Sequence, residues 1–445
     1  MKVETMKSVI LVILIAFSLL LSVALWNYQP NYENEVDETG ETVGETRLEN
    51  GKEMSVRELI QPSQVVFHEG DTHYSYRDPG EQSVLYQDMR EWRIAATNLN
   101  PSLPNLEGRN YVEVLLPSPV PLQTLSFMFN YSSGNQPVAN ESFDRLFIVE
   151  RENDDEEENA YNIWAVDSQV EVNPAKLQGT LNQGAGNLLF EELANKEQFV
   201  EQLRFSPLEN ERTYDDIFIP KEQVQYPEEV LQTQSVNVLP LRNYLFPAEV
   251  KRYDGRSGQR ISDVQRVLKV SSDDEYMTFQ SAILNSSNPV GMSSYDVLRQ
   301  SVENVNQHNG WTNDFRLNYI STNTDRVEYN MYFNGIEVVD HELATIFLQY
   351  EQGDIQEYNR PLVKFEPFNA PLAYTTLPSG EEVLNYLGTR ENFSLSQVQD
   401  IKVGYALNEQ SSSLVYNLKP MWFMKRNGIW EPLYQTEINQ NQPIS

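Results

Sequence analysis

The sequence predicts an α+β protein with one N-terminal transmembrane helix, followed by a multi-domain extracytoplasmic region of antiparallel sheets with packed helices. Three observations support this prediction. Residues 8–26 form an apolar run without a charge. Beyond them, period-two and helical hydrophobic patterns alternate, which is typical of mixed structure. Residues 291–445 contain two segments of similar pattern, so we expect the last two domains to resemble each other.

The composition excludes several classes of function. The chain has 445 residues, 40% hydrophobic and 22% charged, which fits a globular protein of about two or three folding units. Asp and Glu number 65 against 33 Lys and Arg, and the net charge of −32 repels nucleic acid and anionic lipid headgroups. Because the chain has no cysteine, disulfides, thiolate catalysis and cysteine-held metals are excluded.

Residues 8–26 are predicted to span the membrane. A helix of this length is about 28 Å long, close to the roughly 30 Å of a hydrocarbon core. Lys2 and Lys7 precede the span and acidic residues follow it, so residues 1–7 are expected in the cytoplasm and the rest outside. The alternative is a signal peptide cleaved after Ala24. We disfavour it because the apolar run exceeds the usual signal core and bulky residues follow the site.

Within the span, Ser18 and Ser22 form a small-xxx-small pair on one helix face, which would let a second transmembrane helix approach closely. The alternative is that each serine bonds a carbonyl of its own helix and faces lipid, and two serines alone favour that alternative. Trp26 and Tyr28 are predicted to anchor the chain at the membrane interface. The predicted transmembrane partner interface comprises Leu11, Leu14, Ser18, Leu21, Ser22 and Leu25.

The external region is predicted to start with an acidic tether at residues 27–55, too poor in apolar residues to bury a core. The predicted domains are an N-terminal extracytoplasmic domain (56–285), a central α+β domain (286–370) and a C-terminal α+β domain (371–445). In the first domain, the patterns predict strands around 65–67, 112–116, 125–129 and 146–148, a helix from Ser83 through Leu85, Met89, Trp92 and Ala96, a second helix over 187–203, and strands at 264–270 and 277–283. The acidic run 154–158 is predicted to be a hairpin tip.

The last two domains each begin with a capped helix. Ser293 is predicted to cap a helix over 294–307, and Ser379 with Glu382 forms a capping box before a helix over 380–387. Each helix is followed by strands and an Asn-Gly turn, Asn334-Gly335 in the first and Asn427-Gly428 in the second.

A search for chemistry gives mostly negative predictions. His68 and His73 lie five apart in a β-patterned segment, so their rings are expected on opposite faces, as surface histidines and not metal ligands. No serine-nucleophile elbow, phosphate loop or dinucleotide fingerprint is present. We therefore expect no catalytic, cofactor or metal site, although a pair of carboxylates remains possible. Lys251, Arg252, Arg256 and Arg260 are predicted to form a hairpin surface that balances the acidic field.

Trp26-Asn27-Tyr28-Gln29-Pro30-Asn31-Tyr32 follows the span directly. Together with the lysine-flanked N-terminus and the single span, this W-x-Y-Q-P-x-Y stretch resembles the YycH (WalH) family. These are regulatory proteins of the essential, cell-wall-controlling YycFG (WalRK) two-component system of low-GC Gram-positive bacteria. The resemblance covers the whole length and implies a single-pass membrane protein without catalytic activity. The partners it implies are the sensor histidine kinase YycG (WalK) and the related protein YycI, with regulation largely through transmembrane helices.

Two functions of different classes follow. The first is a membrane-anchored protein that regulates a sensor kinase. The alternative is an anchored cell-wall glycan hydrolase, or another wall-processing enzyme, that uses unrecognised carboxylates. An enzyme should show a deep cleft with paired buried carboxylates, whereas a regulator should show only shallow surfaces.

Overall fold

Three β-sheets make up most of the computed structural model, and among the described residues all strand pairs but one are antiparallel. The structure describes residues 44–131, 141–150, 161–181, 193, 195–207, 214–246, 250–255, 258–282, 291–321, 323–368, 373–410 and 414–440. The predicted span, its partner interface from Leu11 to Leu25, the anchors Trp26 and Tyr28, and the acidic run 154–158 lie outside these residues.

The N-terminal sheet has ten strands in the order β10-β9-β2-β1-β4-β6-β7-β8-β3-β5. Its strands are β1 (Gln64–Glu69), β2 (Thr72–Tyr76), β3 (Arg93–Leu99), β4 (Asn110–Pro121), β5 (Asn130–Tyr131), β6 (Ser142–Glu150), β7 (Tyr161–Val166), β8 (Ala175–Leu181), β9 (Phe199–Phe205) and β10 (Ile217–Pro220). The strands predicted at 65–67, 112–116 and 146–148 are confirmed as parts of β1, β4 and β6. Consecutive residues of β1 and β6 are buried, so these two strands are covered on both faces.

The other two sheets hold the second half of the chain. The central sheet has the order β12-β13-β14-β15-β20-β19-β17-β16, with β18 beside β17. Its strands are β12 (Lys251–Gly255), β13 (Gly258–Ser262), β14 (Arg266–Val270), β15 (Tyr276–Ser281), β16 (Phe315–Ser321), β17 (Arg326–Phe333), β18 (Ile336–Glu337), β19 (Thr345–Glu351) and β20 (Asp354–Pro361). The C-terminal sheet has the order β21-β11-β24-β23, with β22 beside β11 and β25 beside β24. Its strands are β11 (Val224–Ser235), β21 (Val363–Pro367), β22 (Ala373–Leu377), β23 (Asp400–Glu409), β24 (Val415–Arg426) and β25 (Ile429–Leu433).

The described helices are short and begin at clear signals. They are α1 (Val56–Leu59), α2 (Pro79–Met89), α3 (Leu125–Met128), α4 (Leu239–Leu245), α5 (Ser294–Asn306), α6 (Gly380–Thr389) and α7 (Gln435–Gln440). The two helices predicted in the C-terminal half are confirmed as α5 and α6. Ser293 caps α5 through the Asp296 amide, and Ser379 and Glu382 form the reciprocal capping box of α6.

Asn-Gly turns connect strands where the sequence predicts them. Asn334-Gly335 joins β17 to β18, and Asn427-Gly428 joins β24 to β25. All four residues have positive φ, between 48° and 80°, as a two-residue hairpin turn of the mirror type requires. A side chain at Gly335 would also collide with the Pro79 backbone, 2.8 Å from an added Cβ.

Three secondary-structure predictions were wrong. The predicted strand at 125–129 is helix α3, because the buried side chains recur three apart at Leu122, Leu125 and Met128. The part of the predicted helix over 187–203 that the structure describes ends in strand β9, which pairs with β2 and β10. The helix expected from Ser83 is α2, which begins four residues earlier because Asp78 caps it, and which ends at Met89.

The sheets cross the predicted domain boundaries. Strands β12–β15 belong to the region assigned to 56–285, yet β15 pairs with β20 in the central sheet. Strand β11 comes from the same region and pairs with β21, β22 and β24. The structural similarity of the last two domains stays a prediction.

Part of the predicted tether also belongs to the fold. Leu48 and Met54 are buried, with 2% and 5% of their surfaces exposed. The Leu48 amide donates to the His308 carbonyl at 2.9 Å, and the Lys52 amide donates to the Trp311 carbonyl at 3.0 Å. The tether therefore ends before residue 44, because these two apolar side chains and their backbone find partners beside the end of α5.

We predict that Leu48→Ala lowers the free energy of unfolding by about 2–5 kcal/mol, since it removes a fully buried side chain and leaves a cavity. Leu414→Ala is the matched control, because Leu414 is 63% exposed, and it should change stability by less than about 0.5 kcal/mol. Urea unfolding of the full chain measures both. Equal effects would show that residues 44–55 are not part of the cooperative core.

Candidate functional site

The N-terminal sheet faces a large cleft. One side of β1, β4 and β6 supplies core residues, among them Phe67, Val112 and Ile148. Because side chains alternate along a strand, the residues between them lie on the other side. Part of that side, including Gln64 and Arg145, lines a cavity of about 730 Å³ whose opposite wall comes from β18, β23, β24 and β25. Residues of this cleft from the N-terminal sheet include Gln64, Ser75, Arg145, Gln202 and Phe218, and those from the opposite wall include Glu337, Asp400, Lys402, Lys425 and Trp430.

Two histidines pair on the side of the N-terminal sheet that is opposite to the Phe67 face. The chain reverses at Gly70, which has a φ of +58°, so that His68 on β1 lies directly opposite His73 on β2. Their Nδ1 atoms are 2.9 Å apart, a hydrogen bond in which one ring donates and the other accepts. The expectation that the two rings point to opposite faces was therefore wrong. It applied to a continuous strand, whereas the Gly70-Asp71 turn signal between the histidines indicates a hairpin.

His68 belongs to a buried ionic network and is not a surface histidine. It is 1% exposed, and its Nε2 lies 3.2 Å from Oε2 of Glu113 on the neighbouring strand β4. Glu113 also forms an ion pair with Arg145 on β6. Arg145 in turn donates from Nη2 to the Asp216 carbonyl at 2.9 Å. The Tyr111 ring stacks on His68 with 3.9 Å between ring centroids and covers one face of the imidazole.

Burial determines the protonation of this network. It lowers the pKa of His68 more strongly than the Glu113 carboxylate raises it, and burial together with His68 lowers the pKa of His73 to about 4. Burial opposes ionisation of Glu113, but Arg145 and His68 together hold the pKa of that carboxyl below its usual value. At neutral pH the site thus holds two neutral histidines and one buried Glu–Arg ion pair.

Other carboxylates of the cleft are also engaged. Asp144 accepts the Ser168 amide at 2.7 Å and the Ser168 hydroxyl, and burial raises its pKa. Glu337 accepts the Asn330 side-chain amide at 2.8 Å and pairs with Lys402. Lys402 lies 3.9 Å from the centroid of the Trp430 ring, a cation–π contact.

No metal centre or membrane span is evident in the part of the chain that the structure describes. Within residues 44–440 and their described ranges, no three His, Asp or Glu side chains group as a metal site. No helix within those ranges is long and apolar enough to cross a bilayer. Sequence reasoning missed Glu113 and Arg145, because their sole signal is a charged residue at a single position of a strand that otherwise reads as buried.

Comparisons with known proteins bear on the whole chain. The family model described as YycH protein, N-terminal domain, matches residues 4–182, and that described as YycH protein, C-terminal domain, matches residues 214–439. A curated protein of Bacillus subtilis (strain 168), named two-component system WalR/WalK regulatory protein YycH, is 19% identical over 458 aligned residues. The alignment covers 97% of this chain and 97% of that protein. The crystal structure of YycH from Bacillus subtilis has the same fold, with a TM-score of 0.68 at 16% identity over 87% of this chain and 99% of that one.

We predict that Glu113→Gln lowers the free energy of unfolding by about 3–5 kcal/mol, since it leaves the Arg145 charge buried without a counterion. Glu53→Gln is the control, because Glu53 and Arg47 form an exposed ion pair, and it should cost less than about 1 kcal/mol. Urea unfolding at pH 7.5 compares the two. A loss at Glu113 no larger than that at Glu53 would contradict a buried charge pair.

We also predict that acid destabilises the fold below pH ~6.5. All four histidines have lowered pKa values, with burial as the largest cause. As pH falls, the unfolded chain therefore binds more protons than the folded chain. Stability is therefore complete above the unfolded pKa of about 6.5 and falls as pH drops, by at most about 1.4 kcal/mol per pH unit and histidine. The contribution of His73 levels off below its folded pKa of about 4.

Unfolding midpoints between pH 7.5 and 5 measure this slope, in a range above most carboxylate titration. The double variant His68→Gln, His73→Gln should flatten it by about half, because two of the four histidines are removed. A slope unchanged in that variant would show that the pair does not titrate as a buried pair.

Proposed function

The chain belongs to the YycH family, and from that membership we propose that it is a membrane-anchored regulatory protein that modulates the sensor histidine kinase of a two-component system. The observation that carries the proposal is similarity along almost the whole length to a curated regulatory protein of such a system. The finer statements, anchoring in the membrane and direct action on the kinase, are inferred from the residues and the family resemblance.

Anchoring rests on the uncharged run at residues 8–26. Lys2 and Lys7 before it and acidic residues after it favour a cytoplasmic N-terminus and an extracytoplasmic bulk in the cell membrane. The described residues then form an external body, with the chain entering it at residue 44.

We place the contact with the kinase YycG (WalK), and with a YycI-like protein, in the transmembrane helix, while the external body adds further protein contacts. The candidate seam is the Ser18/Ser22 face, with Leu11, Leu14, Leu21 and Leu25 around it. A helix that packs differently against two kinase states shifts their balance by the difference in contact energy. One interhelical hydrogen bond contributes about 0.6 kcal/mol, roughly a threefold change, so close backbone approach has to supply most of the difference.

The large cleft is the feature expected of an enzyme, so the choice between a regulator and a glycan hydrolase depends on the carboxylates that line it. A glycosidase needs two carboxyl groups that are free to act on a bond between them, one as acid and one as base or nucleophile. Among the described carboxylates that line the cleft, Asp144 accepts from Ser168, Asp216 pairs with Arg204, and Glu337 pairs with Lys402. Asp400 also lines the cleft, accepts the Ile401 amide and has a pKa that burial raises. We favour a regulator because three of these carboxylates are held by partners and because the curated relative is named a regulatory protein.

We predict that a chain with residues 8–26 scrambled loses regulation of the kinase, because the span keeps its hydrophobicity but not its packing surface. The double variant Ser18→Leu, Ser22→Leu should weaken regulation by steric separation of the helices. A transcriptional reporter of kinase output in cells measures both at equal protein levels.

The matched control is Ala16→Leu, which adds bulk on the opposite face of the helix, because two residues from Ser18 turn the helix by about 200°. Unchanged output from the scrambled span would place the regulatory contact in the external body and contradict the transmembrane mechanism. Loss with the scrambled span but not with the double variant would keep the mechanism and reject the Ser18/Ser22 face.

A further inference from the structure

We propose that the outer edge of the central sheet, formed by the hairpin of β12 and β13, docks an acidic, extended segment of a partner protein. Strand β12 ends the sheet order, and all five of its residues are exposed. An edge strand presents backbone N–H and C=O groups that a further strand can pair with. The described residues place no strand on that side of β12.

Strand register gathers basic side chains on one face of this edge. Tyr253 pairs with Arg260, and Arg260 pairs with Lys269, so the three side chains form a row across β12, β13 and β14. Lys251 lies two residues before Tyr253 and therefore on the same face. The opposite face is core, where Ile261 is 1% exposed. Behind Arg260 and Lys269, strands β13 and β14 therefore pack against the core.

The charge of this edge is opposite to that of the protein. Residues 251–270 contain six basic and two acidic residues, whereas the whole chain has a net charge of −32. The two acidic residues already have partners, since Asp254 pairs with Arg252 and Asp263 with Arg266. Among the described residues, no carboxylate lies within ion-pair distance of Lys251, Arg260 or Lys269. These three cations are available to an incoming segment.

The geometry favours a peptide strand as the occupant. A strand paired with β12 would place every second side chain on the same face as the basic row, so an acidic residue would meet Lys251 directly and Arg260 would lie one strand further in. Tyr253, which is 55% exposed, offers apolar contact between the charges. Charged side chains on an edge strand also discourage aggregation. That role would repel strands without selecting acidic ones, so selectivity for acidic strands distinguishes docking from protection.

The test uses the full chain in a neutral detergent and a fluorescent peptide of about ten residues in which Glu and Thr alternate. Fluorescence anisotropy should show saturable binding that weakens with salt. Lys251→Glu with Arg260→Glu, which changes the two cations of the row nearest the docked strand, should weaken binding at least about tenfold. The control Arg299→Glu with Lys419→Glu makes the same charge change at exposed sites elsewhere and should leave binding within about twofold. Circular dichroism verifies that both variants fold.

A second probe separates strand pairing from diffuse attraction. A peptide of the same charge with proline at alternate positions cannot donate to β12 and should bind at least about fivefold more weakly. Absence of binding, equal loss in both double variants, or equal binding of the proline peptide would overturn the proposal. So would binding that occurs to vesicles of anionic lipid but not to the peptide, since the edge would then serve a membrane surface.

Discussion

Strand β11 is the element on which the arrangement of the second half of the chain depends. Its twelve residues have β21 on one edge and β24 on the other, and β22 pairs with its first half. The C-terminal sheet is thus built on a strand from residues 224–235, far from its other members in sequence. Because the backbone groups of a strand need partners, β11 joins three C-terminal strands, β21, β22 and β24, into one sheet.

The buried Glu113–Arg145 pair has a different role, because it polarises one face of the N-terminal sheet. A sheet that separates core from cleft could carry apolar residues on both sides. Here Glu113 and His68 supply charge and hydrogen bonding on the cleft side, while Val112 and Val114 on the same strand pack into the core. Replacing such pairs by apolar residues is often tolerated or stabilising, so stability alone does not account for the network. It links β1, β4 and β6 through side chains, since Glu113 contacts both His68 and Arg145.

Local signals in the sequence predicted local structure well. Ser379 with Glu382 and the turn Asn427-Gly428 act over three residues or fewer, and the structure contains both. The register of His68 against His73 and the burial of Leu48 depend on residues elsewhere in the chain, and no local pattern encodes them. For the same reason the sheets cross the predicted domain boundaries, since their strands pair with partners about 80 to 190 residues away. The transmembrane site residues stay predictions, because they lie outside the described residues.

The contact of residues 44–55 with the end of α5 has a consequence for biosynthesis. The Met54 amide donates to the side chain of Asn306, 252 residues later in the chain. At roughly 5–20 residues per second, the ribosome needs about 13–50 s to make the second partner after the first. Throughout that interval the apolar side chains of this segment cannot make their native contacts with the end of α5. The first residues of the fold to be made are therefore among the last to reach their native contacts, and a holding chaperone would act on them first.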